Sequence, residues 1–280
     1  MSVAPSRITA LLFTPGNRMD RFPKAAGSGA DGVIIDWEDA VAPDAKESVR
    51  TDNLAWLVTH LRVAPAPFLT GVRVNHLRSE PGRTDVESIR AQGIRPDFVI
   101  LPKVEAAAEV QWAAERLPAE TRLLALIETV RGVRKVLEIA TSTPRLTALA
   151  FGGLDLSAET GGEPSWDALL TPRTQVVHAC AEAGLTAIDQ PYVDFRDEAG
   201  LVDECRRVRS LGFAGKLAIH PQQCAAIIAA FQPASSQVEL ARRIVSAADA
   251  AGGGVVAVDG RMIDQPLVSA ARRLLANVRS

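Results

Sequence analysis

Two carboxylates and one arginine hold the first claim on chemistry in this chain. Glu128, in Leu-Ile-Glu-Thr, and Asp155, in Gly-Gly-Leu-Asp-Leu, each close an apolar run. Two hard oxygen donors with no nearby cysteine or paired histidine favour Mg²⁺ over Zn²⁺. The alternative for either is to cap the next helix or to pair with an arginine. Arg73, in Val-Arg-Val-Asn, also ends an apolar run. A guanidinium there can neutralise an oxyanion or clamp a carboxylate. It can equally form a structural ion pair with Asp36 or Glu38, and the two roles are compatible. Asp36, Glu38 and Asp39 crowd one acidic turn, Asp-Trp-Glu-Asp. Lys103, in Leu-Pro-Lys, would suit a Schiff base if burial lowered its pKa. His220, in Ala-Ile-His-Pro, is a candidate base or a hydrogen-bonded organiser of its loop.

The elements that must position these groups follow a rhythm. Apolar and β-branched runs recur at residues 8–15, 32–39, 68–75, 98–103, 122–129, 146–156, 186–191 and 216–221. Helical stretches rich in Ala, Leu, Arg and Glu separate them, which implies βα units around a parallel sheet buried on both faces. In residues 45–61, Val49, Leu54, Leu57, Val58 and Leu61 form one apolar stripe, and residues 105–116 and 132–140 are similarly amphipathic. Eight such units predict a (β/α)8 TIM barrel, whose active site lies at the C-terminal ends of its strands. Asp36, Glu38, Asp39, Arg73, Asn75, Lys103, Glu128, Asp155, Asp189, Gln190 and His220 all fall at such ends. No strand is followed by Gly-x-Gly-x-x-Gly, which disfavours dinucleotide binding. The expected division is a catalytic barrel over residues 1–232 and an appendage over 233–280. The appendage holds a helix near 237–250, an extended piece at 255–259 and a last helix from about Pro266. Too short for its own core, it is read as a lid or an oligomer contact.

Composition narrows the function further. The chain has 280 residues with a net charge of −2, and its 31 lysines and arginines are scattered rather than clustered. A basic face is the signature of nucleic-acid and anionic-membrane binders, so neither partner is expected. No stretch approaches the roughly 18–20 apolar residues of a membrane span. The start of the chain does not read as a signal peptide, and a cytoplasmic location is expected. Cys180, Cys205 and Cys224 lack metal-ligand spacing and are expected to be buried and reduced.

Eight motifs in order then carry a resemblance. They are residues 12–22 (Leu-Phe-Thr-Pro-Gly-Asn-Arg-Met-Asp-Arg-Phe), 31–41 (Asp-Gly-Val-Ile-Ile-Asp-Trp-Glu-Asp-Ala-Val), 72–75, 101–105 (Leu-Pro-Lys-Val-Glu), 127–132 (Ile-Glu-Thr-x-x-Gly), 151–156, 218–221 and 260–266 (Gly-Arg-Met-Ile-Asp-Gln-Pro). The chain resembles the citrate lyase β-subunit-like family, within the wider group of malyl-, citramalyl- and citryl-CoA lyases. The resemblance implies a Mg²⁺-dependent carbon–carbon lyase that splits a 3-hydroxyacyl thioester into an acetyl thioester and a 2-oxo acid, or condenses them. It implies Glu128 and Asp155 as metal ligands, with Arg73 and Glu128 touching substrate. It also implies an acid, Asp264, supplied by the appendage of a neighbouring subunit in a homotrimer or larger ring. Asp36 and Glu38 join Arg73 and Asp264 as the expected catalytic set, and Asp39 and Lys103 join the substrate-binding set.

Two departures stand out. Leu154 occupies a position where many relatives carry an acidic residue, and Gln190 one where a smaller or apolar residue is common. Residues 161–172, beside the mouth, match none of the motifs. The acyl carrier, coenzyme A or an acyl-carrier protein, stays open, and Arg18 and Arg21 are candidates for coenzyme A phosphates. The rival readings are a metal-dependent hydroxy-oxo-diacid (pyruvate) aldolase acting on free acids, a Schiff-base aldolase using Lys103, and a non-catalytic docking subunit of a lyase complex.

Overall fold

The computed structural model describes residues 8–60, 63–64, 67–252 and 254–276. The chain divides into two compact units, Met1–Ile228 and Ala229–Ser280. In the first, eight parallel strands close into a barrel in the order β1 to β8. They are β1 (Ala10–Pro15), β2 (Gly32–Asp36), β3 (Leu69–Arg73), β4 (Phe98–Leu101), β5 (Arg122–Ile127), β6 (Leu146–Phe151), β7 (Thr186–Asp189) and β8 (Gly215–Ala218). The expected (β/α)8 architecture is therefore present. Its helices are α1 (Phe22–Ala26), α2 (Lys46–His60), α3 (Glu80–Ala91), α4 (Ala107–Arg116), α5 (Val130–Arg134), α6 (Val136–Ala140), α7 (Gly153–Thr160), α8 (Trp166–Ala183), α9 (Glu198–Leu211) and α10 (Pro221–Phe231). Among the described residues no helix is long and apolar enough to cross a membrane.

Side-chain alternation along each strand sorts the interior from the shell. The barrel is filled by Leu11, Ile34, Leu69, Phe98, Ile100, Leu124, Leu126, Ala148, Ala150, Ile188 and Leu217. Two residues further along the same inward rows lie Phe13, Asp36, Glu128, Gly152, Gln190 and Ile219, and all of them line one cavity at the mouth. Alternation thus carries the apolar core directly into the polar site.

Asp189 departs from the expectation that it faces the mouth. It lies one residue past the inward Ile188, so it points outward and is fully buried against the helices. There it accepts Arg173 Nε at 2.9 Å and Lys216 Nζ at 2.5 Å, and Lys216 also bonds Glu204 at 2.5 Å. This cluster clamps β7 and β8 to α8 and α9. Its role is structural.

Other expectations shift locally. The run expected to be a strand over 146–156 breaks at Gly152, and Leu154, Asp155 and Leu156 lie in α7. The helix expected over 132–140 is two short ones, interrupted at Lys135. On α2, Val49, Leu54 and Leu57 are buried but Val58 is 49% exposed. Buried Asn53 joins the inner stripe, bonding Gly16 O at 2.9 Å and Trp37 Nε1 at 2.8 Å. Leu61 lies outside the described residues. The three cysteines are buried and unbridged.

The second unit contains α11 (Ser235–Ala250), a β9–β10 hairpin (Val256–Val258 with Arg261–Ile263, antiparallel) and α12 (Gln265–Ala276). Contrary to expectation it has a core of its own. Ala241 and Ile244 of α11, Val258 and Ile263 of the hairpin, and Val268 and Ala271 of α12 pack together. Two amphipathic helices and a hairpin can each bury one stripe against the others, which a count of residues does not reveal.

Candidate active site

At the C-terminal mouth of the barrel a cavity of about 420 Å³ opens, with Arg73, Glu128 and Asp155 in its walls. Arg73 is anchored before any ligand arrives. Its Nε and Nη2 grip the two oxygens of Asp36, both at 2.7 Å, and Nη1 reaches Asp39 at 3.2 Å. Nη1 is also 3.0 Å from Glu38 Oε2, a charge contact whose geometry is not that of a hydrogen bond. Below the guanidinium lies the Phe13 ring, 4.7 Å from its carbon. A guanidinium has five N–H donors. Three are spent on carboxylates, so among the described residues one on each terminal nitrogen remains without a hydrogen-bond partner, and Arg73 lines the cavity. Burial works against the charge, yet the bonds to Asp36 and the fields of Glu38 and Asp39 raise the Arg73 pKa, and the group stays cationic. The ion pair with Asp36 is present, and Arg73 still lines the cavity.

Lys46, Asp85 and Arg50, which the sequence motifs do not single out, join Asn75 in holding the acidic turn in place. Lys46 Nζ bonds Trp37 O at 3.2 Å, Glu38 O at 2.8 Å and Asn75 Oδ1 at 2.5 Å. Asn75 Nδ2 bonds Trp37 O and Asp85, and Asp85 pairs with Arg50. Asp36 itself accepts the Glu38 and Ala40 N–H groups. The turn is therefore fixed from both sides.

Glu128 and Asp155 face the same cavity, but only Glu128 continues a strand. Asp155 sits in the first turn of α7, three residues past Gly152. Glu128 is 2% exposed, and its Oε1 accepts the Lys103 N–H at 2.8 Å. Lys103 has a left-handed backbone, φ 50°, a conformation uncommon for a side-chain-bearing residue. Among the described residues Glu128 Oε2 has no hydrogen-bond partner and is open to the cavity. Gly152 makes room for it, because a Cβ there would lie 2.5 Å from Glu128 Cβ and 2.6 Å from Oε2. Burial, then the negative fields of Glu38 and Asp155, pushes the Glu128 pKa well above the carboxylate range.

A buried carboxylate with one free oxygen, repelled by a second carboxylate on the same cavity, fits a hard divalent cation. Among the described residues no three Asp, Glu, His or Cys side chains gather as a closed metal cage. Mg²⁺ commonly takes only one or two carboxylates and completes its shell with water and substrate oxygens. The donor set is compatible with that habit.

Lys103 Nζ lies 2.6 Å from Glu38 Oε1, 3.3 Å from Asp39 and 3.8 Å from Asp155. Burial opposes its charge, but the bond to Glu38 and the surrounding carboxylates raise its pKa. An amine nucleophile needs the opposite shift, so the Schiff-base reading loses its physical basis. Glu38 is 4% exposed and lies behind the cavity wall rather than in it. Burial pushes its pKa up to about 7 against the opposing pull of Arg73. Asp39 goes the other way: burial favours its neutral form, but Arg73 and Lys103 hold it below the usual range.

The raised Glu38 pKa has a definite sign for stability. The folded state holds this proton more tightly than the unfolded chain, so its contribution is complete below about pH 4.5 and is lost as pH rises through about 7. Urea unfolding of metal-free protein at pH 5 and pH 8 is expected to show wild type losing about 2–3 kcal/mol more than Glu38→Gln over that interval. Parallel pH dependences would contradict the shift.

Within the first unit, His220 and Arg18 are not among the residues lining this cavity. His220 is stacked on Phe195 with centroids 4.7 Å apart, and its Nδ1 accepts the Gln222 N–H at 3.3 Å, so it organises its loop. Arg18 pairs with Asp20 on the surface at 2.9 Å. Asp264, in the second unit, is exposed and accepts the Leu267 N–H of α12 in a long 3.4 Å bond.

Residues 9–221 match the model of the HpcH/HpaI aldolase/citrate lyase family. The chain belongs to that family. It is 36% identical to a (3S)-malyl-CoA thioesterase of Cereibacter sphaeroides, over 97% of this chain and 94% of the relative. It is 34% identical to the citrate lyase subunit beta of Escherichia coli, over 95% of this chain and 92% of the relative. Among solved structures, the protein CitE of Mycobacterium tuberculosis in complex with magnesium, acetoacetate and coenzyme A superposes with a TM-score of 0.82, at 30% identity over 97% and 98% of the two chains. The HpcH/HpaI match ends at Pro221, so it spans the barrel strands and every cavity-lining residue.

Proposed function

We propose that this chain is a Mg²⁺-dependent carbon–carbon lyase that splits a 3-hydroxyacyl thioester, of the malyl-, citramalyl- or citryl-CoA kind, into an acetyl thioester and a 2-oxo acid. The observation that carries the reading is one cavity lined by a carboxylate-anchored guanidinium and by two carboxylates, Glu128 with one oxygen unbonded and Asp155 beside it. Magnesium bound by Glu128 and Asp155 would supply Lewis acidity toward the oxygens of the oxo-acid half. Arg73 would donate its free N–H groups to the thioester oxygen, where negative charge gathers as the carbon–carbon bond breaks. Asp36 holds that guanidinium in plane, and Glu38 and Asp39 share its charge. Lys103 fixes Glu128 through its N–H and the acidic turn through its ammonium. The substrate hydroxyl proton would pass to a cavity carboxylate, and the enolate would take a proton from Asp264 of a neighbouring subunit in a homo-oligomer, in the trimer expected for the family.

A second reading is thioester hydrolysis, favoured by the 36% identity with a malyl-CoA thioesterase. The same Arg73 contact would stabilise the oxyanion formed when water attacks the thioester. Product analysis separates the two. With Mg²⁺ and a panel of malyl-, citramalyl- and citryl-CoA, lyase action releases acetyl-CoA and a 2-oxo acid, and EDTA stops it. Free coenzyme A and an intact hydroxy acid would establish hydrolysis instead. Turnover of a free hydroxy-oxo-diacid without any thioester would support the aldolase.

A further inference from the structure

Gln190 follows β7 and is 5% exposed, yet it lines the cavity. Its Oε1 accepts the Gly153 N–H at 2.6 Å. That bond settles the amide's orientation, because a flipped side chain would set its NH₂ against an N–H donor. A Cβ on Gly153 would fall 2.5 Å from the same oxygen, so the glycine lets the amide dock this closely. Among the described residues the Gln190 Nε2 has no hydrogen-bond partner, and it is not sealed from solvent. It therefore presents N–H groups to the cavity.

Of the residues lining that cavity, Arg73 and Gln190 are the two whose side chains carry N–H donors. They stand on β3 and after β7, four strands apart in a ring of eight, hence on opposite sides of the mouth. If Arg73 receives the thioester oxygen, Gln190 faces the other end of the substrate. Leu154, Pro191 and Ile219, the lining residues contributed by the helix after β6, the turn after β7 and the end of β8, are apolar and offer no competing donor. A methyl group placed there would leave the amide donor unpaired, and sites built to donate discriminate strongly against ligands that cannot accept.

We propose that Gln190 is the specificity-determining residue for the oxo-acid half of the substrate, its Nε2 donating to an oxygen beyond the shared C1 carboxylate and C2 oxygen. The substrate class is then one whose oxo-acid half is a 2-oxo-dicarboxylate rather than a methyl-bearing 2-oxo acid. This rests on the lyase reading for the placement of the thioester.

The test is calorimetric binding of two free 2-oxo acids, oxaloacetate and pyruvate, to the full-length protein with saturating Mg²⁺. Wild type, Gln190→Glu and Gln190→Met are compared. Gln190→Glu keeps an acceptor for the Gly153 N–H and replaces the donor with an acceptor; Gln190→Met removes the donor without adding charge. Wild type is expected to prefer oxaloacetate by about tenfold or more. Both variants should lose that preference, the oxaloacetate-to-pyruvate affinity ratio falling toward one. An unchanged oxaloacetate-to-pyruvate ratio in either variant, or no preference in wild type, overturns the assignment. Failure of the lyase reading has a different signature, the absence of Mg²⁺-dependent thioester cleavage by wild type.

Discussion

Glu128→Gln is expected to lower metal-dependent turnover by about 10³-fold or more while making the protein more resistant to denaturant. The kinetic loss follows because Glu128 offers a deeply buried anionic oxygen to the cavity, and Lewis-acid stabilisation by a bound cation supplies several kcal/mol. The gain in stability follows from the same environment. Burial and the charges of Glu38 and Asp155 make an ionised Glu128 costly in metal-free protein. A neutral amide of the same shape removes that cost and still offers an oxygen to the Lys103 N–H, so about 1–2 kcal/mol of added stability is expected. Steady-state kinetics with and without EDTA, together with urea midpoints of metal-free protein, read both effects. A variant that loses activity and stability together would instead make Glu128 a structural residue.

Arg73→Lys is the second large effect, about 10²–10³-fold in kcat. Charge is kept, so a purely electrostatic role would survive the change. The planar fork is not kept: a lysine cannot grip both oxygens of Asp36 and also reach Asp39 while leaving donors in the cavity. The loss should fall mainly on kcat, because the free N–H groups act where charge develops, with KM changed by less than about tenfold. Near-normal kcat would leave Arg73 as an internal partner of the acidic turn and nothing more.

Much of this site could be read from the sequence, for a reason that lies in the strands. Each apolar run is a strand, and polar residues at its C-terminal end mark the mouth. Arg73, Glu128 and the 36–39 turn are legible on that basis. Alternation refines the reading: Glu128 follows the inward Leu124 and Leu126 by steps of two, whereas Asp189 breaks step with Ile188 and turns outward. An unbroken apolar run hides this distinction. The run through Leu146 to Leu156 likewise hides where strand yields to helix, so Asp155 reads as a strand residue although it belongs to α7.

What the sequence does not display is contact made by closure of the barrel. Lys46 belongs to none of the sequence motifs, yet it latches the acidic turn because β2, β3 and α2 meet there. Glu38 reads as a mouth residue, but closure places it behind Arg73 and Lys103, where burial raises its pKa. The core of the second unit is equally invisible, since it arises from two separated helices meeting across a hairpin.

Glu128 and Asp155 are the pair proposed to hold a divalent cation at the barrel mouth. Calorimetric titration of Mg²⁺ into wild type, Glu128→Gln and Asp155→Asn, with a 2-oxo acid present, tests that assignment directly. One ion per chain is predicted for wild type, with affinity reduced by about 100-fold or more in each variant while the fold, read by circular dichroism, is unchanged. Wild-type affinity in either variant would rule out that residue as a ligand.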